Sequence, residues 1–178
     1  MLTIRQARDT DREAICEVHR AAVLHTCAEV HGEDVAAKWA GLLLPETHEP
    51  SAGTRALLVA EEAGCVLGFA QFDQASGEVE AVYTHPGTEK RGIGSALLVI
   101  IEDDARARGV DVIRLRAATS AERFYAAAGY AVVGAAEYAI AEGATLPCIR
   151  MEKRLDYEEP RPERRRNSFR PIGLVDAP

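Results

Sequence analysis

No stretch of the chain approaches the roughly 18 consecutive apolar residues that a membrane-crossing helix needs, so a spanning segment is not expected. The opening residues Met1-Leu2-Thr3-Ile4-Arg5 lack the apolar run of a secretion signal, which points to a cytoplasmic protein. A Cys-x-x-Cys pair is also missing. Cys16, Cys27, Cys65 and Cys148 are widely spaced, without histidines at ligand-like intervals, and read as reduced thiols packed as small apolar residues. The histidines form no recognisable ligand set; His25 and His31 are six apart, off the spacing that shares a helix face, so no metal is expected. Positive charge is in deficit. The net charge is −7, and from Asp156 onward acidic residues and arginines cancel, which leaves the deficit on residues 1–155. An acidic body repels a phosphate backbone and attracts cationic amines, so nucleic acid is not an expected partner.

What is present is an ordinary globular composition, 47% hydrophobic and 28% charged over 178 residues, enough for one well-packed domain. Leu2 to Gln6 alternates as a half-buried strand does, and Thr10-x-x-Glu13 matches a capping box for a helix carrying Ile15, Val18 and Ala22. A second helix is expected over Glu33 to Leu44, stopped by Pro45, with a loop from Glu46 to Gly53. Strands follow at Arg55–Ala60 and Cys65–Phe72, joined through Glu61-Glu62-Ala63-Gly64, and then at Glu78–Thr84. A long helix from Gly92 to Arg108, with Ala96, Leu97, Ile100 and Ile101 apolar, ends at Gly109. The remainder reads as a strand over Asp111–Arg116, a short helix over Ser120–Ala128, and two strands paired across Glu142-Gly143-Ala144. The order is β-α-α-β-β-β-α-β-α-β-β, an α/β sheet with helices on its faces and no repeat. Residues 156–178 change character: Pro160, Pro162, Pro171 and five arginines suggest an extended tail, within which Arg165-Arg166-Asn167-Ser168 resembles a basic kinase site.

The chemistry concentrates in Val82 to Leu98, V-Y-T-H-P-G-T-E-K-R-G-I-G-S-A-L-L. A strand ends, a loop turns, and a helix starts at Gly92-Ile93-Gly94. A helix start presents unpaired N–H groups and a positive dipole end, and glycine lets a phosphate come close, with Lys90 and Arg91 alongside. Leu97 occupies the third glycine position of a dinucleotide fingerprint, and the Gly-Lys-Ser/Thr of a Walker loop is absent.

This segment resembles the acetyl-CoA-binding motif of the GNAT N-acetyltransferases. Ala121-Glu122-Arg123-Phe124-Tyr125-Ala126-Ala127-Ala128-Gly129-Tyr130 is similar to the family's second signature, A-x-x-F-Y-x-x-x-G-F/Y. The resemblance spans Leu2 to Arg154. It implies a GNAT domain over residues 1–155, a mixed, mostly antiparallel sheet flanked by about four helices, and acetyl transfer from acetyl-CoA to an amine without an acetyl-enzyme. It further implies that Val82, Tyr83 and Thr84 form the strand that pairs with pantetheine through the backbone of Val82 and Thr84. An N–H near Val82 would stabilise the oxyanion, and the amides of Arg91, Gly92, Ile93, Gly94 and Ser95, beside Lys90, would hold the pyrophosphate. Tyr125 stands where a tyrosine protonates the departing thiolate, and Glu78, fourteen residues before Gly92, stands where some members keep a general base. Glu80, two residues on, shares its side of the sheet and is a second candidate.

Two positions depart from the pattern. Glu89 replaces the usual Gln or Arg, so its carboxylate must point away or be offset by Lys90 and Arg91; and Ala117-Ala118-Thr119-Ser120 lacks the family's asparagine, leaving Thr119 or Ser120 to replace it. Phe124 reads as the core residue of its pair, which frees Tyr125 for a cleft. Tyr83 reads as sheet packing, Trp39 as core or acceptor-site wall, and His85 as a surface residue or second acid. The resemblance implies a small-molecule or peptide amine as acceptor and leaves the oligomeric state open, a homodimer paired through sheet edges being one arrangement common among family members. Two alternatives stand beside this reading: a non-catalytic acyl-CoA-binding module, and a cysteine enzyme using Cys65 or Cys148.

Overall fold

The computed structural model describes residues 1–49, 54–141 and 144–155; the expected tail, its basic site, residues 50–53 of the loop before Thr54 and residues 142–143 lie outside the described residues. The chain runs through β1 (Thr3–Gln6), α1 (Arg12–His31), α2 (Glu33–Leu42), β2 (Arg55–Glu62), β3 (Cys65–Asp73) and β4 (Glu78–Thr84). It continues through α3 (Ile93–Ala107), β5 (Val112–Ala118), α4 (Glu122–Ala127), β6 (Ala131–Ala141) and β7 (Ala144–Arg154). Among the described residues no helix is long and apolar enough to cross a membrane.

One seven-stranded sheet, ordered β1-β2-β3-β4-β5-β7-β6, organises the molecule. Every pairing is antiparallel except β4 with β5. Both faces are covered, which is why Leu57, Leu58, Val59 and Ala60 of β2 are buried without a break. Leu58 and Ala60 join Phe72, Val79, Ile113, Leu115 and Met151 beneath α3, which contributes Ile93, Leu97, Leu98 and Ile101. Leu57, Val59 and Phe69 face the other way, onto Ile15 and Val18 of α1. Outside them Cys16, Val23 and Cys27 of α1 pack on Ala36 and Ala40 of α2. Each large side chain buried fully in these layers contributes about 1.5–3 kcal/mol. Three of the four cysteines are buried and Cys65 is exposed; all are free.

Several sequence expectations shift for physical reasons. The first helix does not start from a Thr10–Glu13 capping box. Arg5 holds the Asp11 carboxylate with two bonds of 2.6 and 3.0 Å, and Asp11 accepts the Arg8 N–H at 2.7 Å. That leaves Thr10 inside a 3-10 turn over Asp9–Asp11, with Asp11 as the cap. α2 ends at Leu42 rather than Leu44: Leu43 is extended and buried, and Pro45 opens a separate 3-10 turn. The β2–β3 hairpin closes through two residues, Ala63 (φ 51°) and Gly64 (φ 81°), rather than four. Ile100, counted with the apolar stripe of α3, is 42% exposed.

Candidate active site

Between β4 and β5 only Glu78↔Arg114 and Val79↔Leu115 pair before the strands part. The pairing begins at Gly77, whose φ of +70° suits glycine and where a Cβ would meet Val110 Cγ1 at 2.9 Å. Beyond Val79 the seam widens into a channel of about 210 Å³ lined by Val79 to Thr84 on one side and Arg116, Ala117, Ala118, Ser120 and Tyr125 on the other.

The channel continues to a cavity of about 410 Å³ at the start of α3, lined by Val82, Thr84, Lys90, Gly92, Ile93, Gly94, Ser95 and Phe124. Gly92 is left-handed (φ 75°), and the first turn of the ladder is Ala96 N–H to Gly92 carbonyl at 2.9 Å. The amides of Gly92, Ile93, Gly94 and Ser95 therefore have no backbone acceptor among the described residues. A Cβ at Gly94 would sit 3.3 Å from the Phe124 ring, so a side chain at position 94 would crowd that ring at the cradle wall. The free amides, the helix dipole and Lys90 suit a diphosphate.

Arg91 belongs to this turn only through its backbone. Its side chain is ion-paired with Glu62 at 2.5 Å and its N–H meets the Thr88 carbonyl at 3.4 Å. Glu89 folds back, with both carboxylate oxygens 2.9 Å from the Gly87 N–H. That bond holds its carboxyl below the usual range, so Glu89 stays anionic at the cavity wall.

On the opposite side of β4 lies a second cavity of about 320 Å³, bounded by His19, His48, Arg55, Glu78, Glu80, Tyr83, Arg116 and Tyr138. A smaller apolar recess beside it is walled by Val23, Cys27, Val30, Trp39 and Leu146, with Thr119 and Ser120 at its rim. A β-bulge separates the two sides: Gln71 faces Ala81 and Phe72 faces Val79, leaving Glu80 as the extra residue. The phase slip puts Val79 and Val82 together beneath α3, while Ala81 and Tyr83 pack with the α1 side. Glu78 and Glu80 thus share one cavity while Val82 and Thr84 line the other.

The carboxylates are paired rather than merely solvated. Arg116 Nη2 binds Glu78 Oε1 at 3.0 Å, and Arg55 Nε lies 3.0–3.1 Å from the two oxygens of Glu80. Arg116 also rests 5.9 Å from the Tyr138 ring centroid, within cation–π range. Glu80, Tyr83 and Arg116 line all three of the channel, the cavity and the recess, and form their junction.

Tyr125 reverses the expected division of labour with Phe124. Tyr125 is buried at 7% exposure against the α3 core, while Phe124 is half-buried against the Gly94 cradle. Tyr125 still reaches the channel, and its hydroxyl makes no hydrogen bond with the described residues. Burial pushes its pKa up to about 12, which keeps the phenol protonated. Tyr83 is more than sheet packing, because its ring occupies the junction. Trp39 is a wall of the recess, and Thr119 and Ser120, the expected substitutes for the missing asparagine, both line it. His85 is exposed, with Nδ1 2.6 Å from the Pro86 carbonyl, and lines none of these spaces.

Four contributors escaped the sequence: His19, His48, Arg55 and Arg116. His19 and His48 are 29 residues apart, yet His19 Nδ1 lies 3.1 Å from His48 Nε2. Burial drives His19 down to about 3 and lowers His48 as well. Only the alternation of Arg114 and Arg116 with apolar residues in β5 hinted that Arg116 leaves the core.

A seam that opens toward free amides at a helix start can take an extended ligand ending in phosphate, and the chain belongs to the GNAT acetyltransferase domain family, whose model matches residues 27–155. It is an acetyltransferase with a mixed α/β fold. It is 34% identical over 126 residues to the L-methionine sulfoximine/L-methionine sulfone acetyltransferase of Salmonella typhimurium, covering 63% of this chain and 68% of that one. Identity to the L-amino acid N-acyltransferase MnaT of Escherichia coli is 34% over 119 residues, 63% of this chain and 67% of that one. The solved acetyltransferase of Salmonella typhimurium with its cofactor acetyl-CoA superposes with TM-score 0.61 at 28% identity, over 89% of this chain and 96% of the other.

Proposed function

We propose that the chain, through a catalytic domain of residues 1–155, moves an acetyl group from acetyl-CoA to the amine of a small amino acid. The observation that carries this reading is the continuity of three spaces: a diphosphate cradle at Gly92–Ser95, a channel along β4 reaching Tyr125, and an acceptor cavity joined to it at Glu80, Tyr83 and Arg116. The amino-acid class draws on the relatives named above and on the paired signs in the cavity, where Glu80 suits an ammonium and Arg55 and Arg116 suit a carboxylate.

In this reading the backbone of Val82 and Thr84 pairs with the pantetheine arm as a missing strand would, and the amides of Gly92 to Ser95 with Lys90 hold the diphosphate. Arg91 adds little beyond its place in the turn. An ammonium cannot attack a thioester until a proton leaves nitrogen. Glu80, which lines both cavity and channel, takes that proton, while Glu78 holds Arg116 in place. The N–C bond forms as the C–S bond breaks, with a β4 N–H near Val82 facing the carbonyl oxygen. Tyr125 gives its proton to the departing sulfur and is restored by the second proton shed from nitrogen; the first passes from Glu80 to water.

The test is thiol release from acetyl-CoA with matched acceptors: apolar L-amino acids, their decarboxylated amines, a polyamine and a short peptide. Free amino acids are expected to exceed their decarboxylated partners at least tenfold in kcat/KM. Silence with every amine removes the enzymatic reading, and equal rates for both partners remove the amino-acid reading alone.

A further inference from the structure

Tyr83 sits in a cluster of four rings. His19 lies against it with centroids 4.2 Å apart and planes 36° apart, Phe69 stacks at 5.5 Å and 27°, and His48 meets Phe69 edge-on at 5.6 Å. The two histidines fix each other. His48 Nδ1 is 3.1 Å from the Leu44 carbonyl, where it can only donate, so neutral His48 keeps its lone pair on Nε2. His19 Nδ1, 3.1 Å from that nitrogen, must therefore donate to it. This single tautomeric arrangement locks the His19 ring, and with it the surface on which Tyr83 rests. Charging His48 at Nε2 would break the chain, and burial opposes a charge on either ring.

The Tyr83 hydroxyl has no hydrogen-bond partner among the described residues, and the ring lines the channel, the cavity and the recess together. Tyr83 is half-buried, so its hydroxyl stays open to these spaces rather than sealed in the core. The space it shares with Glu80 and Arg116 is where a bound amine would meet it. Burial holds the group well above the usual tyrosine range, so it remains a neutral phenol whose oxygen can accept an N–H.

We infer that Tyr83 is a further catalytic residue of the transfer: its hydroxyl oxygen accepts a hydrogen bond from the attacking amine and so aims the nitrogen lone pair along the channel, with His19 and His48 as the positioning pair that sets the ring. The role rests on the acetyl-transfer reading above. It adds no proton step, since the amine N–H that binds Tyr83 stays on nitrogen until the C–S bond breaks. Aligning a nucleophile lowers the barrier to reaction more than it tightens ground-state binding.

The experiment uses the full chain and the best amino-acid acceptor. Tyr83→Phe keeps the ring stack and removes the oxygen. Its kcat is expected to fall 10- to 100-fold, with acceptor KM within about threefold and calorimetric coenzyme A affinity unchanged. His19→Phe, which keeps a ring but loses the bond to His48, is expected to lower kcat three- to tenfold. In the Tyr83→Phe background the same change should cost less than twofold, because the brace then has nothing left to aim. A Tyr83→Phe enzyme within twofold of wild type, or a His19→Phe loss that persists undiminished in the double variant, overturns the assignment. If wild type acetylates no amine at all, the parent reading falls with it; an active wild type with an indifferent Tyr83→Phe sinks this inference only.

Discussion

The cradle at the start of α3 and the cavity across β4 are joined through the channel but are built from opposite materials. The cradle is main chain: amides of consecutive residues at one helix start, made reachable by Gly92 and Gly94. The cavity is side chain: His19 from α1, His48 from the turn after α2, Arg55 from β2, Glu78 and Glu80 from β4, Arg116 from β5 and Tyr138 from β6. Recognition by consecutive amides can be written in a short local motif. Recognition by side chains from six segments is written only in the fold.

The sharpest way to break this contrast is to put a side chain into the cradle. Gly94→Val adds branched carbon where even a Cβ lies 3.3 Å from Phe124, and is expected to weaken coenzyme A binding about 200-fold, about 3 kcal/mol, by calorimetry. Unaltered affinity would mean that the diphosphate binds elsewhere. At the channel, Tyr125→Phe should lower kcat about 100-fold with coenzyme affinity intact; a drop in affinity without a drop in kcat would make Tyr125 a packing residue. On the acceptor side, Arg116→Gln should reduce kcat/KM for an amino acid about 10- to 30-fold and leave its decarboxylated amine within threefold. Equal losses for both would assign Arg116 to holding Glu78 alone.

Two smaller effects sharpen the comparison. Glu89→Gln removes a fixed negative charge from the cradle wall and should tighten coenzyme A three- to tenfold, more at low salt than at high. Tightening that ignores salt would point to altered loop packing instead. The buried histidines predict a stability slope. In the unfolded chain His19 titrates near 6.5, whereas folding lowers it to about 3. Its contribution is therefore complete above about pH 6.5 and is lost as pH falls toward 3, because the unfolded state takes the proton first. Melting temperature should decline between pH 7 and pH 4, and His19→Phe should flatten that decline. An equally steep slope in the variant would assign it to other groups.

The same contrast explains what the sequence disclosed. Strand β4 was placed to the residue because alternating apolar positions run between Gly77 and Pro86, and the cradle was legible because strand, turn and glycines are contiguous. The bulge at Glu80 was not, since no residue type marks it; it follows from register against β3. Nor was the exchange of Phe124 and Tyr125. A six-residue helix has too few turns to display a face, and its outcome depends on Gly94 opposite, which accepts the Phe124 ring. His19 and His48 carried no spacing signal, because their meeting depends on how α1 packs against the turn that Pro45 opens. The cap at Asp11 was misjudged for a similar reason: Arg5, on a neighbouring strand, outcompetes the local pattern.

The short run of pairing between β4 and β5 makes the sheet two slabs hinged by two residue pairs. A slender molecule laid in that gap would restore continuity from β1 to β6 and become part of the architecture there. Cohesion between the slabs would then depend on ligand concentration, and slower amide-proton exchange along β5 in saturating coenzyme A would report it.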